Sequence, residues 1–421
     1  MQRSVGSGQS NTAGQPRNGA SPGAAAPRND ETANVRLATA GGPGLEGPDE
    51  AGGGLEQELR GRALALGFAA CGICDADDLS CGPLLAEWLE TGRHGDMQYL
   101  AEKHERRIRP SLALAGARSV VVVACPYPSP PPPDPQWRKH LRGRVAAYAV
   151  GPDYHVHVAE RLETLAQWLA DRAGARCVVH VDGGPLVEKE LARKAGLGWY
   201  GRNTNILRPG LGSYFVLGTI VTTAPLVADA AFAADHCGTC RACIPACPTD
   251  ALGRGPTIDA TRCISYLTIE HRGPILSSLR ASIGNWVFGC DVCQQVCPWN
   301  ADEAGGDERA RPWLPDWLAM TEDEFRARFS GTALLRPKRR GLARNAAVAL
   351  GNSANPDAVP FLARAAREHD EPLVRAHAAW ALGRFADAQA VRELEAALAC
   401  ERVPPVRREI QDALAGPRTG A

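Results

Sequence analysis

The chain has no surplus of either charge: 47 Lys and Arg face 47 Asp and Glu over 421 residues, so the formal net charge is zero. A wholly basic nucleic-acid coat and an acidic solvating tail are thereby excluded as the main plan, while a local basic patch is not. No stretch approaches the ~18 uninterrupted apolar residues that a membrane helix needs. Met1 to Ser10 lack the apolar segment of a secretory signal peptide, so a cytosolic protein without a membrane partner is expected. No G-x-G-x-x-G follows a strand-like run, which leaves a Rossmann nicotinamide site unsupported. No C-x-x-C-H is present for covalent haem attachment. What remains is a chain with 44% hydrophobic residues, enough for a sizeable core, and a length that suggests two to three domains at roughly 150 residues each.

Residues 1–54 are rich in Gly, Ala, Pro, Ser and Asn and nearly devoid of large apolar residues. Such a segment buries too little surface to offset its ordering entropy and is read as a disordered extension. Helical periodicity begins at Leu55, with Leu55, Leu59, Ala63 and Leu66 on one face. A second helix is expected near Leu84–Thr91 and a long amphipathic one over Tyr154–Ala173. Ser119–Cys125 (SVVVVAC) is a β-branched run expected to form a buried strand. Cys177–Asp182 and Ser213–Thr223 are further strand candidates. Seven of the ten residues Pro126–Pro135 are proline, which makes a stiff surface loop. The alternation of helices and strands suggests an α/β or α+β sheet domain over 55–230. A cysteine-rich module follows at 231–305, then a connecting helical segment at 306–335. In the last part, over 336–415, Leu350-Gly351 and Leu382-Gly383 lie 32 residues apart at the ends of Ala-rich helical stretches. That repetition resembles two HEAT-type helical pairs. Two units are few for a free-standing solenoid, so they are expected to lean on the preceding domain.

Fourteen cysteines in a reducing compartment point to metal or redox chemistry rather than disulfides. Cys237, Cys240, Cys243 and Cys247-Pro248 form C-x2-C-x2-C-x3-C-P, the run of bacterial two-cluster ferredoxins, in which the fourth thiolate ligates the other cluster. A split second copy follows as Cys290, Cys293 and Cys297-Pro298, and Cys263 supplies its missing member. By the crossing rule Cys237, Cys240, Cys243 and Cys297 would hold one [4Fe–4S] cluster, and Cys247, Cys263, Cys290 and Cys293 the other. Zinc also takes C-x2-C pairs, but seldom this spacing twice. The remaining cysteines include Cys71-Gly-Ile-Cys74, read as buried small apolar residues. Two clusters form a short electron wire and imply a partner redox centre in the same chain.

The ferredoxin run, Arg262–Glu270 (RCISYLTIE) and Gly289–Pro298 (GCDVCQQVCP) together resemble the epoxyqueuosine reductase family. Val181–Pro185 (VDGGP), Ala195–Gly201 (AGLGWYG) and Tyr148–His155 (YAVGPDYH) resemble further segments of it, and the likeness spans about 55–385. The resemblance implies an α+β architecture: a cobalamin-binding domain, a ferredoxin-like two-cluster module and C-terminal HEAT-like repeats. It also implies the reaction, reduction of epoxyqueuosine to queuosine at the wobble base of certain tRNAs. Cobalamin would lie beside the nearer cluster, with Arg107, Tyr148, His155, Asp182 and Lys189 around it. The D-x-H-x-x-G cobalamin motif is absent, in keeping with that family's lack of a lower histidine ligand. At position 189 relatives often carry arginine, so the contact of this lysine differs in geometry.

Asp182 is the candidate proton donor. Opening an epoxide leaves an alkoxide that must be protonated before water departs, and a carboxylic acid kept neutral by burial suits that task. An Asp that merely caps the Gly183-Gly184-Pro185 turn is the plain structural alternative. Residues 331–370 hold seven Lys or Arg and three Asp or Glu, and Lys338, Arg339, Arg340 and Arg344 form a compact basic cluster. With a tRNA substrate these become candidate phosphate contacts, with unstacked anticodon bases read elsewhere. An external donor such as flavodoxin or ferredoxin is implied, and a monomer is expected. Two other functions compete: a reductive dehalogenase-like cobalamin enzyme, and a plain ferredoxin-type electron carrier.

Overall fold

A computed structural model of the protein describes residues 37–38, 54–253, 255–300 and 306–416. Of the expected disordered extension, all but Leu37, Ala38 and Gly54 lie outside the described residues. The main sheet has five strands: β1 (Leu37–Ala38), β2 (Ala70–Asp75), β3 (Ser119–Pro126), β4 (Cys177–His180) and β5 (Phe215–Thr222). Their order is β1-β4-β5-β3-β2, and every neighbouring pair is antiparallel. The domain is therefore α+β. Both faces are covered, which explains the unbroken valine run of β3. On one face, Leu59 and Ala63 of helix Leu55–Ala65 and Val158, Leu162, Leu165 and Leu169 of helix Tyr154–Ala173 pack on Val121, Val123, Val179 and Ile220. On the other face, Leu191 and Ala192 of helix Glu188–Lys194 pack on Val120, Val122, Val178 and Val221.

The Cys71–Cys74 pair lies on β2, not at a helix end. Three residues apart on a strand, the two thiols point to opposite faces, Cys71 toward one core and Cys74 into the other. Burial pushes each up to about 12, so both stay protonated and inert.

The C-terminal part consists of helices Lys338–Ser353, Val359–Glu368, Pro372–Leu382, Ala388–Cys400 and Pro404–Ala415, two pairs and one further helix. The repeated glycines mark where successive repeats cross. A Cβ on Gly351 would lie 2.7 Å from the Cβ of Ala381, and one on Gly383 would lie 2.8 Å from that of Ala413. Only glycine allows these helices to approach so closely. One core runs from the repeats through Leu314, Trp317 and Phe325 to Val287, Phe288 and Ala149, so the repeats do lean on the preceding structure. Among the described residues no helix is long and apolar enough to cross a membrane.

Two of the four expected phosphate contacts are overturned. Arg344 is 0% exposed. Its guanidinium donates to the carbonyls of Leu267 (2.5 Å), His271 (2.8 Å) and Gly273 (2.8 Å) and to Asn345 Oδ1. Asn345 continues the seam by donating to Thr268 and Val287 carbonyls, both at 2.8 Å. Arg339 is also buried, bonded to Asp370 Oδ2 at 2.5 Å and paired with Glu322 at 3.4 Å. These arginines fasten the first repeat helix to its neighbours. Lys338 is exposed and Arg340 half-buried, so they alone of the four keep access to a partner.

Replacing Arg344 with Met strands three buried carbonyls, and a loss of roughly 3 kcal/mol or more is expected by denaturant unfolding, since each orphaned polar group costs about 1–3 kcal/mol. Lys338→Met serves as the surface control, with a change within about 0.5 kcal/mol. Equal, small effects of the two substitutions would contradict the fastening role.

Candidate active site

The segment after β4 turns sharply. Asp182 sits there with φ +49°, a left-handed backbone that residues with a side chain seldom adopt. Its N–H donates to Glu188 Oε1 at 3.1 Å. Its carboxylate Oδ2 accepts from the hydroxyl of Tyr154 and lies 3.9 Å from His155 Nε2. Tyr154 and His155 open the long helix, whose N-cap Asp153 accepts from the His155 N–H at 3.0 Å and contacts its Nδ1 at 2.7 Å. Burial pushes the Asp153 carboxyl up, yet these bonds outweigh it and hold it below the ordinary range. The two rings stack at 4.1 Å, and Tyr148 meets Tyr154 edge-on at 5.8 Å, with Tyr127 behind it at 6.4 Å. Together they form an aromatic cluster beside the Asp182 carboxylate.

The side chain of Asp182 is 63% exposed, so the expected burial of this acid is not found. The buried carboxyl is that of Glu188, directly beneath the turn. Burial first, and then the Asp182 charge, push the Glu188 carboxyl well above the usual range. Arg107 is likewise buried. It donates to the carbonyls of Gly184 and Tyr99, each at 3.3 Å, which places it behind the Asp182 turn instead of facing a cofactor.

Lys189 links the turn to the cysteines. Its Nζ donates to the Thr204 carbonyl at 3.0 Å and to Asn205 Oδ1 at 3.4 Å. Burial lowers its ammonium, while the charges of Asp182, Cys293 and Cys263 support it.

The cysteines fall into two groups. Cys237, Cys240, Cys243 and Cys297 line one surface cavity together with Arg202, Asn203 and Trp299. Cys263, Cys290 and Cys293 lie deep, and burial together with mutual repulsion, in which Cys247 takes part, raises all three thiols. Among the described residues no three His, Cys, Asp or Glu side chains converge closely enough to hold a single metal ion. The first group instead rings a cavity, as a polynuclear cluster requires.

Separate sequence segments interlock here. Asp291, between Cys290 and Cys293, accepts the Ala147 N–H at 2.9 Å. Gly289, at φ +68°, lies so close to the same loop that a Cβ on it would be 2.4 Å from that of Ala146. Its N–H donates to Thr268 Oγ1 at 3.0 Å. Asn203 Nδ2 donates to the Cys293 carbonyl at 3.3 Å.

Residues 107–183 match the family model for epoxyqueuosine reductase QueG, 236–300 the 4Fe-4S double cluster binding domain, and 332–415 the HEAT repeats. The epoxyqueuosine reductase of Pseudomonas aeruginosa is 39% identical over 355 residues, 82% of this chain and 97% of that protein. The chain belongs to the epoxyqueuosine reductase family. The Escherichia coli K12 epoxyqueuosine reductase is 35% identical over 371 residues, covering 85% and 95% of the two chains. A crystal structure of an epoxyqueuosine reductase with a tRNA-Tyr epoxyqueuosine-modified stem loop superposes with TM-score 0.79 at 33% identity, over 86% of this chain and 98% of that one. A Bacillus subtilis epoxyqueuosine reductase, with its aspartate catalytic loop swung out of the active site, gives TM-score 0.77 at 32% identity and the same coverage. As in that family, this chain is an oxidoreductase with a two-[4Fe–4S] module and HEAT-like repeats. Neither the dehalogenase-like nor the plain carrier alternative is favoured.

Of the residues named from the sequence, Asp182 and His155 meet, Tyr148 packs on Tyr154 beside them, Lys189 follows the same turn, and Arg107 bonds to its backbone. Two polar groups and one ion pair left no signal in the sequence. Tyr154 was one place from a named histidine, and its partner was invisible until the turn and the helix start were brought together. Glu188 follows the V-D-G-G-P segment at helical onset and reads as an ordinary first-turn acid. In the ion pair, Arg336 bonds Glu270 at 2.9 Å and lies over the Tyr99 ring at 5.7 Å.

Proposed function

We propose that this protein reduces the epoxide of epoxyqueuosine to the alkene of queuosine at the anticodon wobble position of tRNA. The observation that carries this reading is an exposed Asp182 carboxylate held beside Tyr154 and His155, in a chain whose ferredoxin-type cysteines lie in two groups. Two electrons and two protons convert an epoxide to an alkene and water. The protein's task at the carbon skeleton is to bring a proton to the oxygen that leaves. Tyr154 and His155 approach Oδ2 of Asp182, so Oδ1 is the atom that turns to substrate. A protonated Asp182 hands its proton to the oxygen as the ring opens, and the Tyr154 hydroxyl stabilises the carboxylate left behind.

A cobalamin would be held beside the aromatic cluster of Tyr148 and Tyr154, where His155 and the exposed Asp182 and Lys189 would offer it polar contacts. When bound, a cobalamin supplies low-potential electrons at the epoxide. Cys247, Cys263, Cys290 and Cys293 would hold the nearer cluster, and Cys237, Cys240, Cys243 and Cys297 the outer one. Cys240 is exposed, which suits the outer cluster to receive electrons from a flavodoxin- or ferredoxin-like donor. Lys338 and Arg340, the accessible members of the basic cluster, contact tRNA phosphates.

Asp182→Asn keeps the Tyr154 bond but has no proton to give, and a loss of about 10²–10⁴ in turnover of epoxyqueuosine-containing tRNA is expected. Turnover near that of the unsubstituted enzyme would remove Asp182 from the reaction. Removing one outer thiolate, as in Cys297→Ala, should bring the iron content of anaerobically reconstituted protein to about half; undiminished iron would contradict the ligand assignment. Lys338→Glu with Arg340→Glu should weaken binding of an anticodon stem loop and reduce the salt slope by about 2. An unchanged slope would mark the two residues as a solvated face.

A further inference from the structure

The turn that carries Asp182 is tied down at points that no substrate would touch. Its backbone adopts φ +49° at Asp182, so the turn needs restraint to keep an L residue there. Its N–H donates to the buried Glu188 Oε1 at 3.1 Å, beside the Gly183 N–H bond back to the Val181 carbonyl and the Tyr154 bond to its carboxylate. Farther along, Arg107 Nη1 donates to the Gly184 carbonyl at 3.3 Å, and the Arg107 carbonyl accepts the Val187 N–H at 3.0 Å. The segment 182–188 is thus a short closed ring: the side chain of its last residue bonds the amide of its first, and Arg107 holds the middle and the end.

From this geometry we infer that Glu188 is a positioning residue, a latch that sets the Asp182 carboxyl beside Tyr154 and His155 by accepting its backbone N–H. The inference rests on the proton-donor reading of Asp182 given above. Glu188 touches neither substrate nor cofactor, and what it supplies is one acceptor oxygen. Burial pushes its carboxyl well above the usual range, in keeping with a neutral carboxyl, whose carbonyl oxygen still accepts. Glutamine offers the same oxygen at the same reach. Alanine offers none, and aspartate withdraws it by one methylene.

The test uses the full chain reconstituted with both clusters and cobalamin, and an anticodon stem loop carrying epoxyqueuosine. Single-turnover rates and stem-loop affinity are measured beside hydrogen–deuterium exchange across residues 181–187. Glu188→Gln should keep a rate within about threefold of the unsubstituted enzyme and the same exchange. Glu188→Ala should lose about 10²-fold in rate, the scale of a 1 Å misplacement, with unchanged stem-loop affinity and faster exchange across the turn. If the alanine variant does not fold, Glu188→Asp should show the same faster exchange. Combined with Asp182→Asn, Glu188→Ala should add no further loss. A glutamine variant as slow as the alanine one overturns the latch, because the proton and not the acceptor would then matter. So does an alanine or aspartate variant with unchanged rate and exchange. Should Asp182→Asn alone retain full turnover while Glu188→Ala still frees the turn, the proton-donor reading falls and the latch on the turn stands.

Discussion

A single buried carboxylate joins the two redox halves of this molecule. Asp291 is 1% exposed and sits between two cysteines of the inner group. It accepts the Ala147 N–H at 2.9 Å, and burial pushes it up to about 6 while that bond and the Arg144 charge draw it back. Arg144 is itself fixed, 3.9 Å over the Trp286 ring and bonded to Gln295 at 2.9 Å. An unsatisfied carboxylate at this depth would be costly, so the loop 144–150 and the turn 289–293 are held together or not formed at all. Tyr148 lies on that loop and Asp153–His155 follow it, so this bond, with the Ala146 N–H to the Phe288 carbonyl at 2.8 Å and Arg144 to Gln295, ties the aromatic cluster to the segment that carries the inner cysteines.

The same logic recurs at the repeat domain. A HEAT-like pair has an apolar face that it cannot cover alone. The chain covers it with the core that reaches Val287 and Phe288, and then pins the seam with Arg344, Asn345 and Asn352, whose donors take up carbonyls of residues 267–284. A helix rich in arginine thus spends part of its charge on structure.

That division explains which parts could be read from the sequence. Strands and helices with a strong period, such as β3 and Tyr154–Ala173, were legible because burial on one or both faces writes itself into residue spacing. The cysteine spacing was legible for a stronger reason, since ligand geometry admits few alternatives. The basic run was misread because sequence counts charge without direction. Arg339 and Arg344 are buried in bonds to other elements, while Lys338 is exposed and Arg340 half-buried. β2 was missed because ACGICD alternates weakly, although its two cysteines were read as packed residues and are so. The short pairing of Leu37–Ala38 on the edge of β4 depends on backbone bonds from an otherwise featureless segment, which leave no trace in composition.

The most informative misreading concerns acidity. A proton donor was expected to be a buried carboxyl, and the structure instead separates the two properties between neighbours. Glu188 is buried and Asp182 is exposed. A carboxyl that must reach a nucleoside carried on a tRNA loop cannot itself be sealed in the core, because access and desolvation compete at one atom. Access is thus kept at Asp182 and burial at Glu188, whose side-chain oxygen accepts the Asp182 N–H.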